Sequence, residues 1–180
     1  MFCFTLFVFE SFLPLIGAQT RSTPIDVNLI IDSSESLPGV KEEITTWISN
    51  NFVDQILAEG DNFAVWSAGS KAKVIFSGTI KGNSAKEDVK KSIHEIASAG
   101  KTADFSSALK EAALRCQNSP FSYTLLISAS PASLEQVLSG GHASLMRYSK
   151  VEEFSGWRAL VVGLNLDEKV GRAAAAYIGS

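Results

Sequence analysis

Apolar positions along this chain change their period several times, and each change marks an element. Ile25, Val27, Leu29, Ile30 and Ile31 form a short, nearly continuous apolar run, the pattern of a strand covered on both faces. From there the period lengthens: Val40, Ile44, Trp47, Ile48, Phe52 and Ile56 recur at helical spacing, which predicts an amphipathic helix after Leu37-Pro38-Gly39. Asn62 to Ser67 and Lys73 to Ile80 predict two further strands, and the short Ala68-Gly69-Ser70 link between them suits an antiparallel hairpin. Helical spacing returns at Lys86 to Ala99, through Val89, Ile93, Ile96 and Ala97, and again at Phe105 to Cys116, through Phe105, Ala108, Leu109, Ala112 and Cys116. Gly100-Lys101-Thr102 separates the two. Tyr123 to Ile127 and Trp157 to Leu164 read as buried strands, with a less regular helical region from Ser133 to about Tyr148 between them. An alanine-rich helix from Glu168 to Tyr177 follows.

Strands that alternate with helices predict an α/β fold: a doubly wound, mainly parallel sheet with one antiparallel edge strand and helices on both faces. A length of 180 residues and 46% hydrophobic content suit one domain with a substantial core. Met1 to Ala18 is almost wholly apolar and resembles a secretory signal cleaved after Ala18, although Glu10 interrupts it and no positive charge opens it. The expected organisation is therefore a signal peptide at 1–18 and a domain at 22–180, exported to the periplasm, the cell surface or the medium. Membrane attachment is expected only if the first segment is retained. Its removal leaves Cys116 as the one cysteine, so no internal disulfide is expected, and Cys116 reads as a small buried hydrophobe. The net charge of -3 and the absence of a basic, aromatic-laced stripe argue against nucleic acid as a partner; the lysines between Lys81 and Lys91 are interrupted by Glu87 and Asp88.

The chemistry concentrates where the first strand ends, in Asp32-Ser33-Ser34-Glu35-Ser36. An Asp-x-Ser-x-Ser spacing offers one carboxylate and two hydroxyls, hard oxygen donors suited to a small hard cation such as magnesium. The same residue types also make turns and cap helices, and both readings stand at this point. The motif's position, between a buried strand and an amphipathic helix, is the crevice in which open parallel sheets gather ligands.

Taken in this order of elements, the chain from residue 22 onward resembles a von Willebrand factor type A domain. The resemblance implies a metal-ion-dependent adhesion site on the upper rim of the sheet, with Asp32, Ser34 and Ser36 as its first loop and Mg2+ or Mn2+ as its cation. The family adds a threonine from a second loop and an aspartate from a third. Counting back from Ala108-Leu109 puts that threonine at Ala103; Thr102 stands one position early, and Asp104 in the same loop is a candidate substitute. In the third loop Ala129 of Ser128-Ala129-Ser130 occupies the place of the aspartate. The site is thus expected to be degenerate. The family pattern also calls for a final strand and helix beyond Ser180, so the chain reads as lacking its C-terminal edge strand.

The function implied is non-enzymatic protein binding through that rim, a partner's acidic side chain completing the cation's shell. Competing readings are a metal-independent scaffold of the same fold, a truncated vestigial product, and a metal-dependent phosphohydrolase. The last would need a second carboxylate where Ser34 stands. Trp66-Ser67-Ala68-Gly69 lacks the first glycine of a nucleophile elbow, and His94 and His142 show no zinc-ligand spacing.

Overall fold

The computed structural model describes residues 21–136 and 157–163. The expected signal segment, the helical region beyond residue 136, the alanine-rich helix and the chain end lie outside the described residues. The described strands are β1 (Asp26–Asp32), β2 (Asn62–Ala68), β3 (Ala72–Thr79), β4 (Ser122–Ser128) and β5 (Trp157–Gly163), in the sheet order β3-β2-β1-β4-β5. β1 runs parallel to both β2 and β4, β4 runs parallel to β5, and β2 and β3 form the antiparallel edge hairpin. The doubly wound sheet is therefore observed.

Alternation along β1 explains why it reads as one continuous apolar run. Val27, Leu29 and Ile31 point into a core with Ile44, Ile48, Phe52, Val89 and Ile93. Ile30 points the other way, into a core with Ala108, Leu109, Ala112 and Leu126. The helices behind these faces are α1 (Lys41–Trp47), α2 (Asn83–His94) and α3 (Phe105–Arg115), followed by a short α4 (Pro131–Gln136). Alanines at 108, 112 and 113, all fully buried, let α3 lie close against the sheet. One polar residue interrupts this second face: buried Asn28 donates to Ala112 O (3.2 Å) and Cys116 Sγ (2.9 Å) and accepts from Trp66 Nε1 (3.2 Å). Its amide is thus nearly saturated without water.

Two helices differ from the expectation. The helix after residue 40 is α-helical only to Trp47 and continues as a π-helical turn over Ile48–Val53. Ile44, Ile48, Phe52 and Ile56 recur every four residues, more than the 3.6 of an α-helix, so a straight helix would rotate them off the core. The wider π turn takes up the excess, and all four are buried. The helix expected over Lys86 to Ala99 spans Asn83–His94 instead; Ile96 is still buried, but Ala97 is exposed. Beyond His94 the backbone leaves the helix to bond neighbouring loops, as Ala99 N does with Ser33 O (2.6 Å).

At the opposite end of the sheet, Asp61 ties Arg21 and Ile25 to the loop before β2. Its carboxylate accepts from Ile25 N (3.0 Å), Ala58 N (2.8 Å) and Arg21 Nη2 (2.6 Å). Among the described residues no helix is long and apolar enough to cross a membrane.

Candidate functional site

Parallel register brings three loops to one rim. Asp32 pairs with Ala68 and Ile31 with Ile127, so β1, β2 and β4 all end at the same level. Asp32 is buried, 1% exposed, and both carboxylate oxygens are engaged. Oδ1 accepts from Ser34 N (2.8 Å), and Oδ2 accepts from the Ser128 hydroxyl at the end of β4. Ser34 Oγ and Ser36 Oγ lie 3.0 Å apart. Ser33, between the motif positions, faces β2: its amide donates to Ala68 O (2.9 Å) and its Oγ accepts from Ser67 Oγ (2.7 Å).

The second loop is laced to the first through backbone. Ala99 N donates to Ser33 O (2.6 Å), Ser70 N to Ala99 O (2.6 Å), Glu35 N to Gly100 O (2.9 Å) and Asp104 N to Gly69 O (2.8 Å). Ser98 Oγ adds a bond to Ser34 O (2.9 Å). Two glycines make this approach possible. A Cβ on Gly69 would sit 2.2 Å from Ala99 O, and Gly100, at φ +92°, would place one 2.7 Å from Ser70 Cβ.

Of the residues expected to complete the site, Thr102 is exposed in this second loop. Asp104 caps α3, its Oδ1 accepting from Ser107 N (3.1 Å). Among the described residues no hydrogen bond joins either side chain to Asp32, Ser34 or Ser36. Ala129, half-buried, follows β4 directly and offers no side-chain donor. The structure thus brings Asp32, Ser34 and Ser36 together and leaves Thr102 and Asp104 in the adjoining loop.

No family model matches the chain, and no curated protein matches it in sequence. Solved structures do match in fold. A von Willebrand factor type A protein from Catenulispora acidiphila is 15% identical, with a TM-score of 0.54 over 89% of this chain and 42% of that one. The manganese-loaded TRAP protein of Plasmodium vivax is 18% identical, with a TM-score of 0.62 over 85% of this chain and 63% of that one. This chain has the fold of a von Willebrand factor type A domain. Proximal thread matrix protein 1 from the mussel byssus, with a zinc-occupied MIDAS motif, matches at 18% identity and a TM-score of 0.56, over 84% of this chain and 39% of that one. The chain spans less than two thirds of the length of each of these structures.

Within the type A fold, the donor set of the first loop fits a small hard cation. Metal–oxygen bonds of about 2.1 Å in an octahedron put neighbouring ligand oxygens roughly 3.0 Å apart. Ser34 Oγ and Ser36 Oγ, hydrogen-bonded to each other at 3.0 Å, have that separation, and Asp32, which accepts from Ser34 N, is the carboxylate of the same loop. A His, Cys, Asp and Glu cluster of three or more does not occur among the described residues. Ser128 is the rim residue that the sequence does not announce. Only the parallel pairing of β1 with β4 brings it beside Asp32, and a serine one residue before Ala129 carries no signal of its own.

Cys116, at the far end of α3, is buried as expected. Burial pushes its thiol above the ordinary value, with the Asn28 hydrogen bond acting in the opposite direction. A buried neutral thiol of this kind is a packing group rather than a nucleophile.

Proposed function

We propose that this chain is a non-enzymatic protein-binding module of the type A fold, exported from the cell, that engages its partner through the upper rim. Asp32, Ser34 and Ser36 are the residues that would hold a divalent cation, Mg2+ or Mn2+. The observation carrying this reading is the hydrogen-bonded hydroxyl pair of Ser34 and Ser36, 3.0 Å apart, in the loop that Asp32 opens at the carboxyl end of the central strand. When bound, such a cation supplies a positive centre for a partner's carboxylate. Ser34 and Ser36 are neutral donors and would leave most of that charge unquenched. Asp32 fixes the loop through its bond from Ser34 N.

Thr102 and Asp104 belong to this proposal as reserve donors in the second loop. A metal-independent rim is the second reading, and it has observations in its favour: Asp104 is committed to capping α3, and Ala129 offers no carboxylate.

The test is the thermal midpoint of the purified protein with Mg2+, with Mn2+ and with chelator. A ligand at one hundred times its dissociation constant adds about 2.7 kcal/mol to the folded state, a shift of several degrees. The proposal expects such a shift in the wild type and none in Asp32→Ala. Equal midpoints in all three conditions would remove the cation from the account and leave the metal-independent rim.

A further inference from the structure

Hydrogen bonds on serine side chains continue from Asp32 through the third loop and back to the second. Ser128 Oγ donates to Asp32 Oδ2 and accepts from Ser130 N (3.0 Å). Ser130 Oγ accepts from Ser133 N (3.2 Å), and Ser130 O accepts from Leu134 N (3.1 Å), which seats the first turn of α4. Ser133 Oγ then accepts from Ala103 N (3.4 Å), in the loop that carries Thr102 and Asp104. Ser128 and Ser133 are fully buried, as is Leu134 beside them. Three loops are therefore joined by hydroxyls at the point where a third-loop carboxylate is missing.

We propose that Ser128 is the positioning residue of the rim: its hydroxyl holds the Asp32 carboxylate and, through Ser130 and Ser133, fastens the third loop to the second. The inference rests on reading this rim as the binding surface, and it assigns to a serine relay the fastening that residue 129 cannot provide. Three features support it. Ser128 bonds the one carboxylate of the motif, so its orientation is coupled to the charge that any cation or partner would meet. The Ser128 oxygen is shared between an acceptor and a donor, so loss of the hydroxyl frees both the Asp32 oxygen and the Ser130 amide. The two ends of the relay, Ser128 on Asp32 and Ser133 on Ala103 N, are buried, where an unpaired polar atom is costly, while Ser130 between them is half-buried.

The experiment uses the full chain, with Ser128→Ala, Ser128→Thr and Ser133→Ala variants. Amide hydrogen exchange is read first, in chelator. Ser128→Ala is expected to speed exchange at Ser130 and, through the relay, at Ala103 by about fivefold or more, as loss of one net hydrogen bond implies. Ser128→Thr keeps the hydroxyl and is expected to restore wild-type rates. Mn2+ titration by calorimetry is read second; Ser128→Ala is expected to bind about tenfold more weakly, the lower range for losing an outer partner of a ligating group. Unchanged exchange at Ala103 in a folded Ser128→Ala protein would overturn the proposal, as would failure of Ser128→Thr to rescue. If Ser128→Ala does not fold, Ser133→Ala breaks the same relay at its far end, and unchanged exchange over residues 98–104 in that variant is equally decisive against it. A wild type that binds no Mn2+ would count against the cation, not the fastening, which the exchange data judge alone.

Discussion

Gly69→Ala is the sharpest single-residue test of how the rim is built. The added methyl would lie 2.2 Å from Ala99 O and 2.8 Å from Ala99 Cβ, separations no real Cβ tolerates. Backbone, not a flexible side-chain tip, is in the way, so the loop at 98–100 must move. That loop cannot move without loss, because Ala99 N bonds Ser33 O and Ala99 O accepts from Ser70 N, both at 2.6 Å. Two net hydrogen bonds are worth about 1 kcal/mol each, and residual overpacking adds about 1 kcal/mol. The expected cost is therefore about 3 kcal/mol, or roughly 6–12 °C in Tm for a domain of this size. Gly39→Ala is the internal control: a methyl there meets nothing within 4 Å, and the variant should match wild type to within about 0.5 kcal/mol. Urea unfolding gives both values, and amide exchange at Ala99 shows whether the two bonds are lost. If Gly69→Ala were as stable as Gly39→Ala, or destabilised with Ala99 still protected, the interlocked-loop account would be wrong.

Other substitutions probe the rest of the molecule. Asp61→Ala strips a buried acceptor from Ile25 N, Ala58 N and Arg21, and should cost about 3–5 kcal/mol by urea unfolding. Arg21→Ala leaves Asp61 its two amide donors and should cost clearly less; equal costs would contradict this reading. Asn28→Ala leaves Trp66 Nε1 and the Ala112 carbonyl without their partner in a buried setting, and a loss of about 2–3 kcal/mol is expected in the same assay. The Cys116 thiol lies above its ordinary value of 9.0. Its protonated form is therefore favoured by folding, and that stability is present below about pH 9 and lost as the pH rises from there towards the folded-state value. In a Cys3→Ser background, Cys116→Ala should flatten the alkaline fall in urea stability; an unchanged fall would assign it to other groups. Ala129→Asp returns a carboxylate to the third loop and should tighten Mn2+ binding measured by calorimetry, whereas weaker binding would show that residue 129 does not face the site.

Much of the sheet was legible because each strand is buried in a simple way. The continuous run at Val27 to Ile31 could only be satisfied by cover on both faces, and the hairpin followed from the short link expected at 68–70, which the structure places at residues 69–71. Helix ends were less legible. α2 ends at His94, and residues 98–100 just beyond it bond to other loops, a tertiary demand that local spacing does not encode. The π turn at Ile48–Val53 was hidden for a different reason: a four-residue apolar repeat satisfies the helical pattern, and the mismatch with 3.6 accumulates only over several turns. At the rim, Asp32, Ser34 and Ser36 stood out because they fall at alternate positions of one five-residue stretch. Ser128 did not, since its role depends on strand register between residues 96 positions apart. Thr102 and Asp104 lie in the loop before α3, and the sequence could not say that Asp104 would turn to cap that helix.

Whether Asp32, Ser34 and Ser36 hold a cation at the rim is decided by titrating Mn2+ into the protein and following free metal by electron paramagnetic resonance. One saturable site is expected in the wild type. Loss of that site is expected in Asp32→Ala and in the double variant Ser34→Ala/Ser36→Ala, each with wild-type circular dichroism. A wild type that leaves all the Mn2+ free, or a site that survives both variants, would rule out cation binding by these residues.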